Sequence, residues 1–237
     1  MPPFKLAVIG GTSLLESDLF SDAKPNTVAT EYGPVTLMEQ KNTVFLQRHG
    51  LEQYTPPHKI NHHANLSALK EAGVSHIISV GSVGGLRLDI SPGTVLVPDD
   101  FFAPHLAPTF FSDTQGHIAP SFDTIWRQKL LDTLNKSQIV QAIDGGVYWQ
   151  TIGPRFETPA EINFYKPHFH VVGMTVASEC ILASECQIPY AAICMIDNYA
   201  NGVSDDELTF ESFKIQVRAN EAKLVLIIKT LMEKLLP

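Results

Sequence analysis

Two glycine-rich turns, one arginine and a few amides and carboxyls carry the chemistry this chain could perform. Gly10-Gly11-Thr12-Ser13 follows a short apolar run. Glycines let backbone N–H groups approach an anion, and a hydroxyl adds a donor. The turn has neither the third glycine of a dinucleotide fingerprint nor the lysine of a P-loop, so a plain tight turn reads equally well. Arg48-His49-Gly50 ends a second apolar run. Arginine is the best planar fork for phosphate oxygens; the bland alternative is a surface arginine beside a core histidine. Ser79-Val80-Gly81-Ser82-Val83-Gly84-Gly85 could set the Ser82 N–H and hydroxyl against the same anion, or simply make a bend.

Further along, Gly153-Pro154-Arg155-Phe156-Glu157-Thr158 joins an aromatic face to a carboxylate. Phe156 could stack on a planar ring while Glu157 accepts N–H bonds from it; otherwise Phe156 is core and Glu157 a helix-dipole partner. Asp197-Asn198 is a second polar pair, and an Asn amide both donates and accepts. An Asx turn is the competing reading. His58, His62 and His63 invite a metal, but adjacent helical histidines point about 100° apart and no cysteine or carboxylate cluster accompanies them. Histidines at a helix start or an interface are the better reading, and no metal is expected. Cys180, Cys186 and Cys194 form no disulfide framework and read as buried thiols.

These residues need elements to position them. Leu6–Ile9, Val44–Leu46, Ile77–Val80, Thr94–Val97, Val147–Ile152, Val171–Val172 and Tyr190–Ile196 read as strands. Asn61–Ala72, stopped by Gly73, has helical apolar spacing, and Phe122–Leu134 and Glu179–Glu185 read as helices. Thr158-Pro159-Ala160-Glu161 is a capping-box start. A last helix begins near Thr209, its stripe of Phe210, Phe213, Val217, Leu224, Ile228 and Leu231 expected to pack on the sheet. Strands alternating with helices predict a mostly parallel or mixed sheet covered on both faces, in a single α/β domain over residues 1–237 by default. Nearly every strand ends in a polar or glycine residue, so one site built from many strand ends is expected.

Composition narrows the partners. With 237 residues, 44% hydrophobic, the chain can bury a large core. The net charge of -8 argues against nucleic acid or an anionic membrane. The start of the chain lacks a signal-peptide pattern, and no apolar run is long enough to cross a bilayer; a soluble, cytoplasmic protein is expected. Charged residues at 18% leave room for surface covered by partner subunits.

Together the motifs resemble the trimeric purine nucleoside phosphorylase and methylthioadenosine phosphorylase family. The stretches are IGGTS (9–13), RHG (48–50), PPHKINHHANLSALKEAG (56–73), GSVGGLRLDISPG (81–93), GPRFETPAE (153–161), VVGMT (171–175) and IDN (196–198), in the family's order. The resemblance implies a central mixed sheet, a homotrimer with sites near subunit interfaces, phosphorolysis of a purine nucleoside, and inorganic phosphate as co-substrate with no cofactor. It implies that Thr12, Arg48, His49, Ser82 and Thr175 hold phosphate and that Met174 lies beneath the ribose. Phe156 would face the base, Glu157 and Asn198 would read its edge, and His117 would reach a neighbouring subunit's site. Arg48, His49 and Asn198 are the residues it implies for catalysis.

Two positions bear on the substrate. Relatives that prefer 6-aminopurines carry Asp at the position of Asn198 and a small residue at that of Glu157, so this chain's pair favours a 6-oxo base. Phe210 stands where 6-oxopurine phosphorylases place a histidine for the 5′-hydroxyl, with Phe213 one turn on. That apolar pair favours 5′-methylthioinosine, with inosine or guanosine phosphorolysis and methylthioadenosine phosphorolysis as alternatives. Ser13, Gly81 and Ile152 depart from the family pattern. A nucleotide-cofactor enzyme, a nucleoside hydrolase and a non-catalytic nucleoside-binding module are the competing classes.

Overall fold

Side-chain alternation along the central strands decides the layering. In a computed structural model that describes residues 4–14 and 18–236, Leu6 and Val8 of β1 (Leu6–Gly10) belong to one apolar cluster, and Ala7 and Ile9 to another. Successive side chains of a strand point to opposite faces, so the sheet is buried on both sides. One face packs against α1 (His62–Glu71) and α4 (Val176–Glu185), the other against α2 (Thr124–Ser137) and α5 (Phe210–Leu235). A smaller cluster sets Ile162 of α3 (Pro159–Tyr165) against Trp149 and Val172. Met1–Pro3 and the Ser13 side chain, both read above from sequence, lie outside the described part.

The remaining strands are β2 (Lys24–Thr30), β3 (Gly33–Gln40), β4 (Thr43–Gln47), β5 (His76–Gly85), β6 (Val95–Val97), β7 (Asp100–Phe102), β8 (Ile143–Asp144), β9 (Val147–Gln150), β10 (Val171–Gly173) and β11 (Tyr190–Tyr199). They form a mixed sheet in the order β2-β3-β4-β1-β5-β10-β9-β7, with β11 also paired to β5 and to β6. β5 is the hub: its first half runs parallel to β1 and β11, and its glycine end meets β10 antiparallel. Gly84 is needed there because a Cβ would press on Val172 at 3.2 Å and on Ala200 at 3.3 Å. The glycines of this turn therefore allow three strands to converge, rather than merely allowing a bend.

Three sequence expectations change. The β2–β3 hairpin has no counterpart in the sequence reading, because β2 is a largely exposed edge with little apolar alternation. α4 begins at Val176, not Glu179; its N-cap Thr175 makes no side-chain cap bond, and the helix opens on the apolar pair Val176 and Ala177. The α5 stripe packs on the core only from Val217 onward, and Phe210 is 62% exposed, so its first turn stands clear of the sheet. Thr209 caps that helix and Thr158 closes the capping box of α3, as their sequences predict.

Candidate active site

The polar strand ends converge. Thr12, Arg48, His49, Ser82, Phe156, Glu157, Met174, Thr175, Asn198, Phe210 and Phe213, taken from seven separate stretches of chain, line one cavity of about 540 Å³. Tyr54, Pro56, Pro57, Leu208 and Lys214, which the sequence reading did not single out, share its wall. His117 is the exception. It closes a short 3-10 turn in the irregular stretch after β7 and lines a different surface hollow with Thr109, Phe111 and Glu185. Within its own chain it contributes nothing to the cavity.

At the floor, Gly11 closes on Arg48: a Cβ at Gly11 would lie 2.5 Å from Arg48 Nη1. The sequence expectation was an arginine offering its fork to an anion. That fork is instead occupied by Glu179 of α4, with Nε to Oε1 at 2.6 Å and Nη2 to Oε2 at 2.9 Å. Nη2 also donates to Ser79 Oγ at 2.6 Å and Nη1 to the Val80 carbonyl at 2.5 Å. Four of the five guanidinium N–H groups are thus committed, leaving one on Nη1. Burial opposes charge on both partners, yet their attraction wins: Arg48 is held above its usual range and Glu179 below. Glu179 escaped the sequence reading, although an acid set among the small and apolar residues that open VASECILASE was the available signal.

Two other anion-seat residues are similarly pre-engaged. His49 is buried, and its Nδ1 lies 2.8 Å from the Thr55 carbonyl, which can only accept, so Nδ1 carries the proton. Burial, reinforced by Arg48, pulls the imidazole down to about 4, so it is neutral at pH 7 with Nε2 as an acceptor. Ser82 donates its hydroxyl to Oδ2 of Asp197, whose Oδ1 accepts from Asn220 of α5 at 2.8 Å. The α4 amides are also committed: Tyr148 Oη accepts from Thr175 and Val176, and Gln150 Oε1 from Ala177 and Ser178. Thr175 therefore faces the cavity with its side chain rather than with a free helix end.

The base-reading pair sits on different elements. Glu157 is 7% exposed, and Oε1 accepts from Thr151 at 2.7 Å. Burial raises its carboxyl above the ordinary range despite that bond. Asn198 gives an amide proton to the Tyr199 carbonyl at 2.7 Å and keeps its Oδ1. Asp197 and Asn198 continue β11 instead of forming an Asx turn. The β5 register slips between Ile196 and Asn198, making Asp197 a bulge residue. A bulge turns neighbouring side chains to one side, which is how Asp197 reaches Ser82 while Asn198 lines the cavity. Phe156 meets Phe213 edge to face at 5.9 Å, and Lys214 Nζ lies 4.6 Å from the Phe210 ring centre.

The same combination of fold and motifs occurs in known proteins. The Phosphorylase superfamily profile matches residues 5–233. The chain is 35% identical to a probable 6-oxopurine nucleoside phosphorylase of Archaeoglobus fulgidus, covering 97% of this chain and 96% of the relative. It is 36% identical to a probable S-methyl-5'-thioinosine phosphorylase of Methanocaldococcus jannaschii, over 94% of this chain and 90% of the relative. The fold matches a methylthioadenosine phosphorylase of Schistosoma mansoni solved with adenine, at a TM-score of 0.87 and 24% identity, over 98% of this chain and 92% of that one. Matched along nearly its whole length, the chain belongs to the Phosphorylase superfamily.

Proposed function

We propose that this protein is a purine nucleoside phosphorylase acting on 6-oxopurine nucleosides, with 5′-methylthioinosine as favoured substrate and hypoxanthine and 5-methylthioribose 1-phosphate as products. The observation that carries the reading is that Thr12, Ser82, Thr175 and Arg48 line the same cavity as Glu157 and Asn198. Inorganic phosphate is the second substrate, and the reading calls on no metal or cofactor.

Phosphate would sit below C1′ among Thr12, Ser82, Thr175 and the remaining N–H of Arg48. As the glycosidic bond lengthens, positive charge grows on the sugar and negative charge on the purine. The anion stabilises the first; Asn198 and Glu157, fixed in advance by Tyr199 and Thr151, stabilise the second. Glu157 needs a donor at N1, which a 6-oxopurine has and adenine lacks, so the wrong base leaves a buried polar group unpaired. No cysteine takes part. Phe210, Phe213 and Leu208 give the cavity apolar lining beside Lys214, and apolar surface suits a 5′-methylthio group better than a hydroxyl.

A homotrimer belongs to the same reading, with His117 serving a neighbouring subunit's cavity; size-exclusion with light scattering tests it. The deciding assay compares inosine, guanosine, adenosine, methylthioadenosine and methylthioinosine with and without phosphate. Fastest turnover of methylthioinosine, strictly dependent on phosphate, is expected. Product without phosphate would make the protein a hydrolase, and preference for the 6-amino bases would overturn the reading of Glu157 and Asn198.

A further inference from the structure

The anion seat has an unexpected hydrogen-bond polarity. Arg48 brings a positive charge, but Glu179 lies against its fork and offsets it. Ser82 has one hydroxyl proton, and it is donated to Asp197, so Oγ turns only lone pairs toward anything else it meets. His49 has its Nδ1 proton on the Thr55 carbonyl, and Nε2 has no hydrogen-bond partner among the described residues. Both side chains line the cavity. An anion seated there meets donors from Thr12, Thr175 and one Arg48 N–H, but acceptors from His49 and Ser82.

We propose that this seat selects a proton-bearing tetrahedral oxyanion, taking hydrogen phosphate over sulfate, because His49 and Ser82 meet the anion as hydrogen-bond acceptors. The inference rests on the cavity being a phosphorolytic site. Phosphate keeps at least one P–OH throughout the neutral range, whereas sulfate has no proton to give. A bare oxyanion oxygen would face a lone pair with no bond to compensate, which is the costly arrangement in a buried site. The neutrality of His49 at pH 7 follows from its burial beside Arg48. Arg48 alone, without its carboxylate partner, would favour either anion by charge.

The test titrates the full chain calorimetrically with sodium phosphate and with sodium sulfate, at pH 7.5 and matched ionic strength. Sulfate should bind at least about tenfold more weakly, since an unmet buried acceptor costs that much or more. In the double variant His49→Gln with Ser82→Ala, where an amide can turn an N–H to the anion and neither acceptor is left, the gap should close, because hydrogen phosphate's one proton needs only one of the two acceptors. Equal affinities in the unaltered protein, or a double variant that leaves the ratio unchanged, would overturn the proposal while phosphate-dependent turnover left the phosphorylase reading standing. If the folded protein bound neither anion, both would fall.

Discussion

Thr151 donates its hydroxyl to Oε1 of Glu157 at 2.7 Å, leaving Oε2 as the oxygen available to a ligand. Because burial raises the Glu157 carboxyl, protonation on acidification comes earlier than for an ordinary glutamate, and a carboxyl protonated on Oε2 meets N1–H with a proton instead of a free acceptor. kcat/KM for a 6-oxopurine nucleoside should therefore fall on the acid side with an apparent pKa above the usual glutamate range. Glu157→Gln should lower kcat/KM by about tenfold to a hundredfold, the worth of a hydrogen bond to a charged group, and flatten that acid limb. An unchanged pH profile in the variant would remove Glu157 from base recognition.

Asn198 fixes the other side of the base. Its amide can donate to a 6-oxo oxygen, whereas a protonated carboxyl can offer a proton to N7 and an acceptor to a 6-amino group. Asn198→Asp should move the ratio of kcat/KM values toward adenosine-type substrates by about tenfold or more, the usual scale for a mismatched buried polar contact. Identical selectivity in steady-state assays would contradict the assignment.

The Arg48–Glu179 pair is buried on both sides, at 1% side-chain exposure each. Removing one partner strands the other charge, a loss of about 3–5 kcal/mol, whereas replacing both by apolar residues costs far less. Glu179→Gln should lower unfolding free energy by about 3 kcal/mol in urea titrations. Arg48→Met with Glu179→Leu should recover much of it while abolishing phosphate binding. Strict additivity would argue against a coupled pair.

Acid should weaken the fold through two histidines. Burial holds His49 and His62 down at about 4, against 6.5 for an unfolded chain. Above pH 6.5 neither state takes up a proton and stability is level. As pH falls toward 4, the unfolded chain binds protons that the folded one refuses, so stability drops, by up to about 3 kcal/mol for His49 alone. His62 adds in the same direction. Its Nδ1 is sealed from solvent without a hydrogen-bond partner among the described residues, so His62→Phe should flatten the pH dependence without breaking a bond at that atom. Denaturant midpoints at pH 7, 5.5 and 4 measure both effects.

Phe213 and Phe210 give the cavity apolar lining. Phe213→Ala should raise KM for methylthioinosine about tenfold, the value of burying a methylthio group, and change inosine much less. An equal effect on both nucleosides would place the 5′ substituent elsewhere.

The sequence was informative where chemistry and local geometry coincide. Thr12, Arg48, His49, Ser82 and Asn198 lie in or just past the last residues of strands, and Glu157 sits just before α3; the fold gathers the first five because ends of adjacent strands are neighbours. Glu179 was out of reach for the opposite reason. It lies 131 positions from Arg48, and only the packing of α4 against the sheet brings the two together. The β2–β3 hairpin was invisible because an exposed edge needs no apolar alternation, and the direction of the Ser82 proton depends on a strand 115 positions away. Phe210 followed the helical period yet stands on the cavity wall, since α5 begins before it reaches the sheet.

The bulge at Asp197 has a consequence for how this protein can change. Pleat parity past Ile196 depends on that one supernumerary residue. Deleting or inserting a single position there would exchange inward and outward side chains for the rest of the strand, retiring Asn198 from the cavity and pulling Asp197 off Ser82 together. Altered base preference at this strand end is therefore open to replacement of one side chain by another, and closed to the gain or loss of a single residue.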